Sequence, residues 1–163
     1  MKINDNLLKK MIGPQTETLV GQRNRLLLSL GYDFLAGRSE LVAICTDSLT
    51  STPDFVLKGI IRHSMADQYD RDRLVFGSEH NAKLLKKWPR QKQKNQTVFC
   101  AVKHRRCHDR AICDRQMNEV IERSLVKVKR YPRPSDLEVL EHSLRVGTAR
   151  DLLDKGHEMT TII

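Results

Sequence analysis

The chain has 163 residues, 39% of them hydrophobic and 30% charged, so its length fits one globular domain and its composition excludes a disordered tail. Its 29 Lys and Arg residues against 20 Asp and Glu residues give a net charge of +9, which indicates a polyanionic partner, with nucleic acid first. No apolar run approaches the roughly 20 residues of a membrane span, and the N-terminal residues lack the apolar core of a signal peptide, so we expect a cytoplasmic protein without a membrane partner.

Helical periodicity is strongest between Thr16 and Phe34, where leucines recur on one face of the pattern. This stretch predicts a long helix at the centre of the core. The following stretch, "GRSELVAICTDSL", predicts a second, short helix that Gly37 separates from the first.

Two β-rich runs come next, from Asp54 to Ser64 and from Asp72 to Gly77. The polar stretch "MADQYDR" separates them, which predicts an antiparallel ribbon with exposed, charged faces. Ser78 then caps a predicted helix that ends in lysines, as the helix dipole favours.

The second half of the chain alternates loops with helical patterns. We interpret "PRQKQKNQ" as a loop, "TVFCAV" as a short strand and "DRAICDRQMNEVIERSLVKV" as a helix. The prolines of "KRYPRPSD" predict a basic loop. A last helix, from about Asp136 to Lys155, then places His142 and Arg145 one turn apart on the same face.

The cysteines raise the question of a metal site. There are four of them: Cys45, Cys100, Cys107 and Cys113. Three lie near His104 and His108, but no C-x-x-C pair occurs, and the predicted strand and helix separate Cys100 from Cys113. We therefore favour reduced, buried or half-buried structural thiols over zinc, and predict no metal and no cofactor.

Four stretches stand in a characteristic order along the chain: "LLLSLGYDFLAGRSELVAICTDSL", "IIRHSMADQYDRDRLVF", "DRAICDRQMNEVIERS" and "HSLRVGTARDLL". Together they resemble the catalytic domain of tyrosine recombinases, also called phage integrases. The first resembles the family's first arginine box, the second its lysine-bearing β-hairpin, the third the helix before the second box, and the last the H-x-x-R box itself. The resemblance implies an α+β, mainly α-helical fold with a small antiparallel β-ribbon.

The family's chemistry explains why these residue types recur in it. A tyrosine attacks a DNA phosphodiester without metal or cofactor, while two arginines and a histidine hold the phosphate oxygens. The hairpin lysine protonates the leaving oxygen, and an acidic residue orients the first arginine.

The resemblance carries over three site residues. Glu40 matches the acidic residue of the first box, and His142 and Arg145 match the second box. The family's nucleophile follows the second box, and no tyrosine follows Arg145 in this sequence. The resemblance thus implies a vestigial site in a single domain, residues 1–163, without the family's N-terminal DNA-clamping domain and C-terminal tyrosine segment.

Two further positions depart from the family pattern. Gly37 stands where the first arginine belongs, and Arg38 is one residue along, a rotation of about 100° on a helix. Met65 stands where the hairpin lysine belongs, and it can neither carry charge nor donate a proton. We expect a chain that does not cleave DNA by itself, and whether it is an enzyme stays open.

We expect a double-stranded DNA partner, with phosphate contacts from Arg38, Arg62, Arg110 and Arg115. The resemblance implies a role in DNA integration and site-specific recombination, an origin in a bacterial or phage mobile element, association with the nucleoid, and contact with other recombinase subunits. Three alternatives remain: a truncated product of a working integrase, an interaction module that docks the C-terminal segment of a full-length recombinase, and a helical domain whose charge serves only solubility.

Overall fold

The structure, a computed structural model, describes residues 3–54, 56–62, 72–94, 96–128 and 143–158. Its helices are α1 (Asp5–Ile12), α2 (Leu19–Asp33), α3 (Arg38–Ala43), α4 (Glu79–Lys87), α5 (Asp114–Lys127) and α6 (Ser143–Asp154). Its strands are β1 (Leu49–Ser51), β2 (Leu57–Ile61), β3 (Arg73–Gly77), β4 (Cys100–Lys103) and β5 (Arg106–Ala111). Short 3₁₀ helices span Thr46–Ser48 and Pro89–Lys92. The predicted fold class, mainly α-helical with small antiparallel sheets, is confirmed.

Helix α2 is the centre of the core, as predicted, and it packs against α1, α4 and α6. It begins at Leu19, three residues later than Thr16, because the Thr18 hydroxyl accepts the N–H of Gly21 at 3.2 Å and caps the helix. Because α2 has neighbours on several sides, its buried residues extend beyond the single stripe that is typical of an amphipathic helix.

Helix α1 is an element that the sequence analysis missed. Asn4 caps it by accepting the N–H of Leu7 at 2.9 Å, and Leu7, Leu8 and Met11 are buried in the core. It is eight residues long, so its stability comes from this packing and from little else.

The predicted ribbon is one part of a three-stranded antiparallel sheet in the order β1-β2-β3. Its inner face carries Leu57, Ile61 and Val75, all buried. The prediction that the ribbon has exposed, charged faces is wrong. The inner face packs on the core, and the outer face is largely apolar, with Leu74 50% and Phe76 57% exposed.

The stretch predicted as one helix from Asp109 onward is a strand followed by a helix. Strands β4 and β5 form a hairpin in which Lys103 pairs with Arg106. The two residues of its turn, His104 and Arg105, have φ angles of 47° and 62°. Positive φ at both positions is typical of a type I′ turn, whose twist matches that of paired strands.

Helix α5 itself begins only at Asp114. The N–H of Cys113, the residue before it, donates to Oε1 of Gln116 at 3.0 Å. Cys113 is therefore an exposed capping residue, and neither the predicted helical position nor the predicted burial is correct.

The stretch predicted as a plain loop, "PRQKQKNQ", contains the most buried charge of the chain's described part. Arg90 is 1% exposed, and its guanidinium donates to the Thr97 carbonyl, Gln93 and Gln96 at 2.9–3.1 Å and to Asp109 at 3.3 Å. Arg90 holds this segment on the core and is not available to a ligand.

The last predicted helix is described only from Ser143 to Asp154. Its first part, with His142, and the basic loop "KRYPRPSD" lie outside the described residues, as does Met65. Within the described residues, no helix has the length and apolar character needed to cross a membrane.

Candidate nucleic-acid interface

Glu40 lies at the junction of α2, α3 and β3, where two donors meet its carboxylate. Oε2 accepts the backbone N–H of Gly37 at 2.8 Å and Nη2 of Arg73 at 3.0 Å. The first bond caps α3, because Gly37, the residue before the helix, has no side chain to do so. Glu40 therefore binds an arginine from another part of the chain, Arg73, and its place in a recombinase site stays a prediction.

Arg73 was missed because its partner is distant in sequence. It opens β3 opposite Ile61, and since cross-strand partners point to the same face, its side chain begins on the buried face of the sheet. From there Nη1 donates to the Phe34 carbonyl at 3.2 Å and Nη2 to Glu40. An arginine at an inward-facing strand position was the available signal, because a buried charge needs a partner.

Helix α6, which carries Arg145 in its first turn, is held by its docking on α1 and α2. The Thr148 hydroxyl donates to the Tyr32 carbonyl at 2.7 Å, the Tyr32 hydroxyl donates to the Asp151 carboxylate, and the same carboxylate accepts the N–H of Asp5 at 2.8 Å. A Cβ at Gly147 would lie 1.9 Å from the carbonyl oxygen of Ile3, so only glycine permits this approach.

Burial raises the pKa of Tyr32, and the hydrogen bond to Asp151 and the nearby carboxylates of Asp5 and Asp33 raise it further. Tyr32 is thus a protonated structural tyrosine whose hydroxyl is engaged. The other two tyrosines, Tyr69 and Tyr131, lie outside the described residues.

The arginines predicted to contact DNA lie on four different elements. Arg38 opens α3 and is half-buried, whereas Arg62 follows β2 and is exposed. Arg110 is exposed on β5, and Arg115 is exposed in the first turn of α5, 3.5 Å from Glu119. The positions of Arg110 and Arg115 therefore bring exposed charge to the connection between the β4–β5 hairpin and α5.

The tip of the β4–β5 hairpin adds basic residues that the sequence analysis did not assign. Four consecutive exposed residues form this basic tip: Lys103, His104, Arg105 and Arg106. The signal in the sequence was the run "KHRR", three basic residues and a histidine in succession.

Two buried groups near this hairpin serve the fold. Arg23 donates to the Cys100 carbonyl at 3.2 Å, and burial lowers its pKa. Burial, followed by the hydrogen bond to Cys107, raises the pKa of the Cys100 thiol to about 12. Cys100 is thus a protonated, buried thiol in this fold.

The fold is that of a tyrosine-recombinase catalytic domain. Two matching crystal structures are of XerH site-specific recombinase, one bound to its difH substrate before cleavage and one bound to a palindromic difH substrate after cleavage. The chain matches both with a TM-score of 0.76 and 20% identity over 99% of its own length. The structure of XerA recombinase matches with a TM-score of 0.75 and 16% identity, again over 99% of the chain.

The chain spans about half the length of these recombinases, covering 44% and 45% of XerH and 52% of XerA. Sequence alone gives no such match: no family model and no curated protein sequence is similar to it. At this level of identity the comparison establishes the fold.

Proposed function

We propose that this protein binds double-stranded DNA through a tyrosine-recombinase-type domain and takes part in DNA integration and site-specific recombination without cleaving DNA by itself. The observation that carries the proposal is the set of exposed basic residues on the β4–β5 hairpin and at the start of α5, on a fold shared with a DNA-bound recombinase: Lys103, His104, Arg105, Arg106, Arg110 and Arg115. A location in the cytoplasm, on the nucleoid, and an origin in a mobile element belong to the same proposal.

The basic surface fits a phosphate backbone better than a base edge. The residues of the hairpin tip, from Lys103 to Arg106, are exposed and lie close together around one turn, so they offer several donors within a small area. Lys and Arg contacts to phosphates set position and affinity but carry no sequence information. We therefore expect binding with little sequence preference and a strong dependence on salt.

Gly37 supports the second half of the proposal. It contributes only a backbone N–H beside Glu40, so the first box supplies no arginine from the position that the resemblance assigns to one. Loss of one preorganised donor to a developing charge typically costs on the order of 10² to 10³ in rate. Met65, which has no ionisable group, stands in place of a general acid.

Duplex binding is tested by fluorescence anisotropy with a labelled duplex over a range of salt concentrations. Replacing Arg110 and Arg115 together by Ala is expected to weaken binding and to reduce the slope of log K against log salt by about 1.8, or 0.9 per phosphate contact. A matched control is Lys9→Ala with Lys83→Ala, which removes two exposed charges from ion pairs on α1 and α4 and is expected to change the slope little.

Two results would contradict the binding proposal. One is that the wild-type protein shows no binding at low salt. The other is that the arginine pair and the lysine pair have the same effect, which would mean that net charge alone decides the affinity.

Cleavage is tested with a nicked suicide duplex, on which a covalent protein–DNA adduct accumulates. We expect no slower-migrating band on a denaturing gel after incubation with the purified protein. A tyrosine-linked band from the unmodified chain would show that the site is active.

A further inference from the structure

We propose that Arg73 is a phosphate-binding residue, and that Glu40 and the Phe34 carbonyl hold its guanidinium in position to bind a phosphate oxygen of duplex DNA. The proposal rests on the proposed function of duplex binding and deepens it by naming a contact residue. No resemblance of the sequence pointed to Arg73.

The bonds of Arg73 leave part of its guanidinium for a ligand. A guanidinium carries five N–H groups in a rigid fork. The bonds to Phe34 and Glu40 use one N–H on Nη1 and one on Nη2. Toward the described residues, the Nε–H and a second N–H on each terminal nitrogen make no hydrogen bond, and an arginine fork of this kind suits a phosphate.

Arg90 shows what a purely structural arginine looks like in the same molecule. Its side chain is 1% exposed, and Nε, Nη1 and Nη2 all donate to acceptors within the protein. The Arg73 side chain is 35% exposed and meets two acceptors among the described residues. An arginine that only linked β3 to α3 would not need an exposed part of its side chain.

Among the described residues, Gly37 places no side chain next to the carboxylate that holds this guanidinium. The nearest atom to a Cβ built on Gly37, within the described part of the chain, is Oε2 of Glu40 at 3.5 Å. That oxygen is the one that Arg73 binds. The space beside the Arg73–Glu40 pair is therefore not filled by a side chain from position 37.

Preorganisation favours binding at this guanidinium. Glu40 and the Phe34 carbonyl fix the orientation of the Arg73 side chain before a ligand arrives. Because the Arg73 fork is already held in place, little side-chain entropy is lost when a phosphate binds.

Two kinds of measurement on the full chain test the proposal. The first is the Nε–Hε cross-peak of Arg73 in an NMR spectrum of ¹⁵N-labelled protein, assigned through bonds from the backbone. Adding a DNA duplex is expected to shift this cross-peak, whereas the cross-peak of Arg90 is expected to stay in place. This measurement needs no substitution, so it does not depend on the stability of a variant.

The second measurement compares the duplex affinity of variants over a range of salt concentrations. Arg73→Gln is expected to weaken binding about tenfold and to lower the salt slope by about 0.9. Arg73→Lys is expected to keep the slope, because it keeps the charge, with an affinity between those of the wild type and Arg73→Gln. Arg25→Gln is the matched control. Arg25 also binds a glutamate, Glu17, at 3.0 Å and a backbone carbonyl at 2.8 Å, but it lies on α2, whereas Glu40 lies on α3.

The outcomes separate this inference from the proposed function. If the wild type binds the duplex while the Arg73 cross-peak does not move and Arg73→Gln behaves like Arg25→Gln, only the role of Arg73 is wrong. If the wild type does not bind the duplex at low salt, both are wrong.

Discussion

Oε2 of Glu40 lies 3.0 Å from Nη2 of Arg73, and this single contact joins the start of α3 to the start of β3. The same oxygen also accepts the N–H of Gly37. One carboxylate group therefore caps α3 and binds the first residue of β3. The pair is half-buried, with side-chain exposures of 35% for Arg73 and 22% for Glu40, so solvent screens it only in part.

Two substitutions at Glu40 separate its charge from its capping role. Glu40→Gln keeps an oxygen that can accept the N–H of Gly37 but loses the ion pair, and we expect a loss of under about 1 kcal/mol in the free energy of unfolding. Glu40→Ala loses the cap as well and is expected to cost about 1 kcal/mol more. Urea unfolding of both variants checks this order. Equal losses would mean that the cap contributes nothing.

Tyr32→Phe removes the hydroxyl that donates to Asp151 and thereby weakens the docking of α6 on α2. A buried hydrogen bond to a charged group is worth about 1.5 to 3 kcal/mol, and we expect a loss of that size in the free energy of unfolding at neutral pH.

The effect of Tyr32→Phe is expected to depend on pH, because the pKa of Tyr32 is raised in the folded protein. A raised pKa means that the folded state keeps a proton that the unfolded state releases. The stabilisation is therefore fully present below about pH 10, the ordinary tyrosine pKa, and is lost as pH rises above it. Urea midpoints at several pH values should show the difference between wild type and variant shrinking above that pH. A constant difference would contradict the assignment.

Gly147→Ala tests whether α6 needs close contact with the N-terminal segment. The added Cβ would lie 1.9 Å from the Ile3 carbonyl oxygen, which is backbone and cannot rotate away. We expect a loss of about 1 to 3 kcal/mol, as for other overpacking substitutions. Gly13→Ala is the matched control: it has a helical conformation, and its nearest contact is 3.4 Å. Thermal unfolding measures both variants. An equal loss of melting temperature in the two would show that α6 is not held at this point.

The two faces of the sheet are expected to respond differently to substitution. Leu57→Ala, on the buried inner face, should cost about 2 to 5 kcal/mol of stability because it leaves a cavity. Leu74→Thr, on the outer face, should change stability by less than about 0.5 kcal/mol. Calorimetry of the two variants compares them directly, and a large loss from Leu74→Thr would show that the outer face is covered in solution.

The order of helices and strands could be predicted wherever a local pattern is strong. The leucine periodicity of α2 and the Ser78 cap of α4 need only neighbouring residues, because Ser78 Oγ meets the N–H of Asn81 three residues on. The strand β5 could not be predicted in this way, since "DRAIC" joins a helical pattern whose period continues into α5. Only its pairing with β4 across the turn at His104 and Arg105 makes it a strand.

The sequence by itself determined the fold class, because the stretches that carry the resemblance follow one another in a fixed order along the chain. The resemblance also predicted that Glu40 orients an arginine. Only the tertiary structure decided which arginine Glu40 holds. Arg73 is 33 residues away, and its distance from Glu40 depends on the register of β3 against β2 and on the packing of α3. A one-residue change of that register would turn Arg73 to the other face of the sheet, away from Glu40.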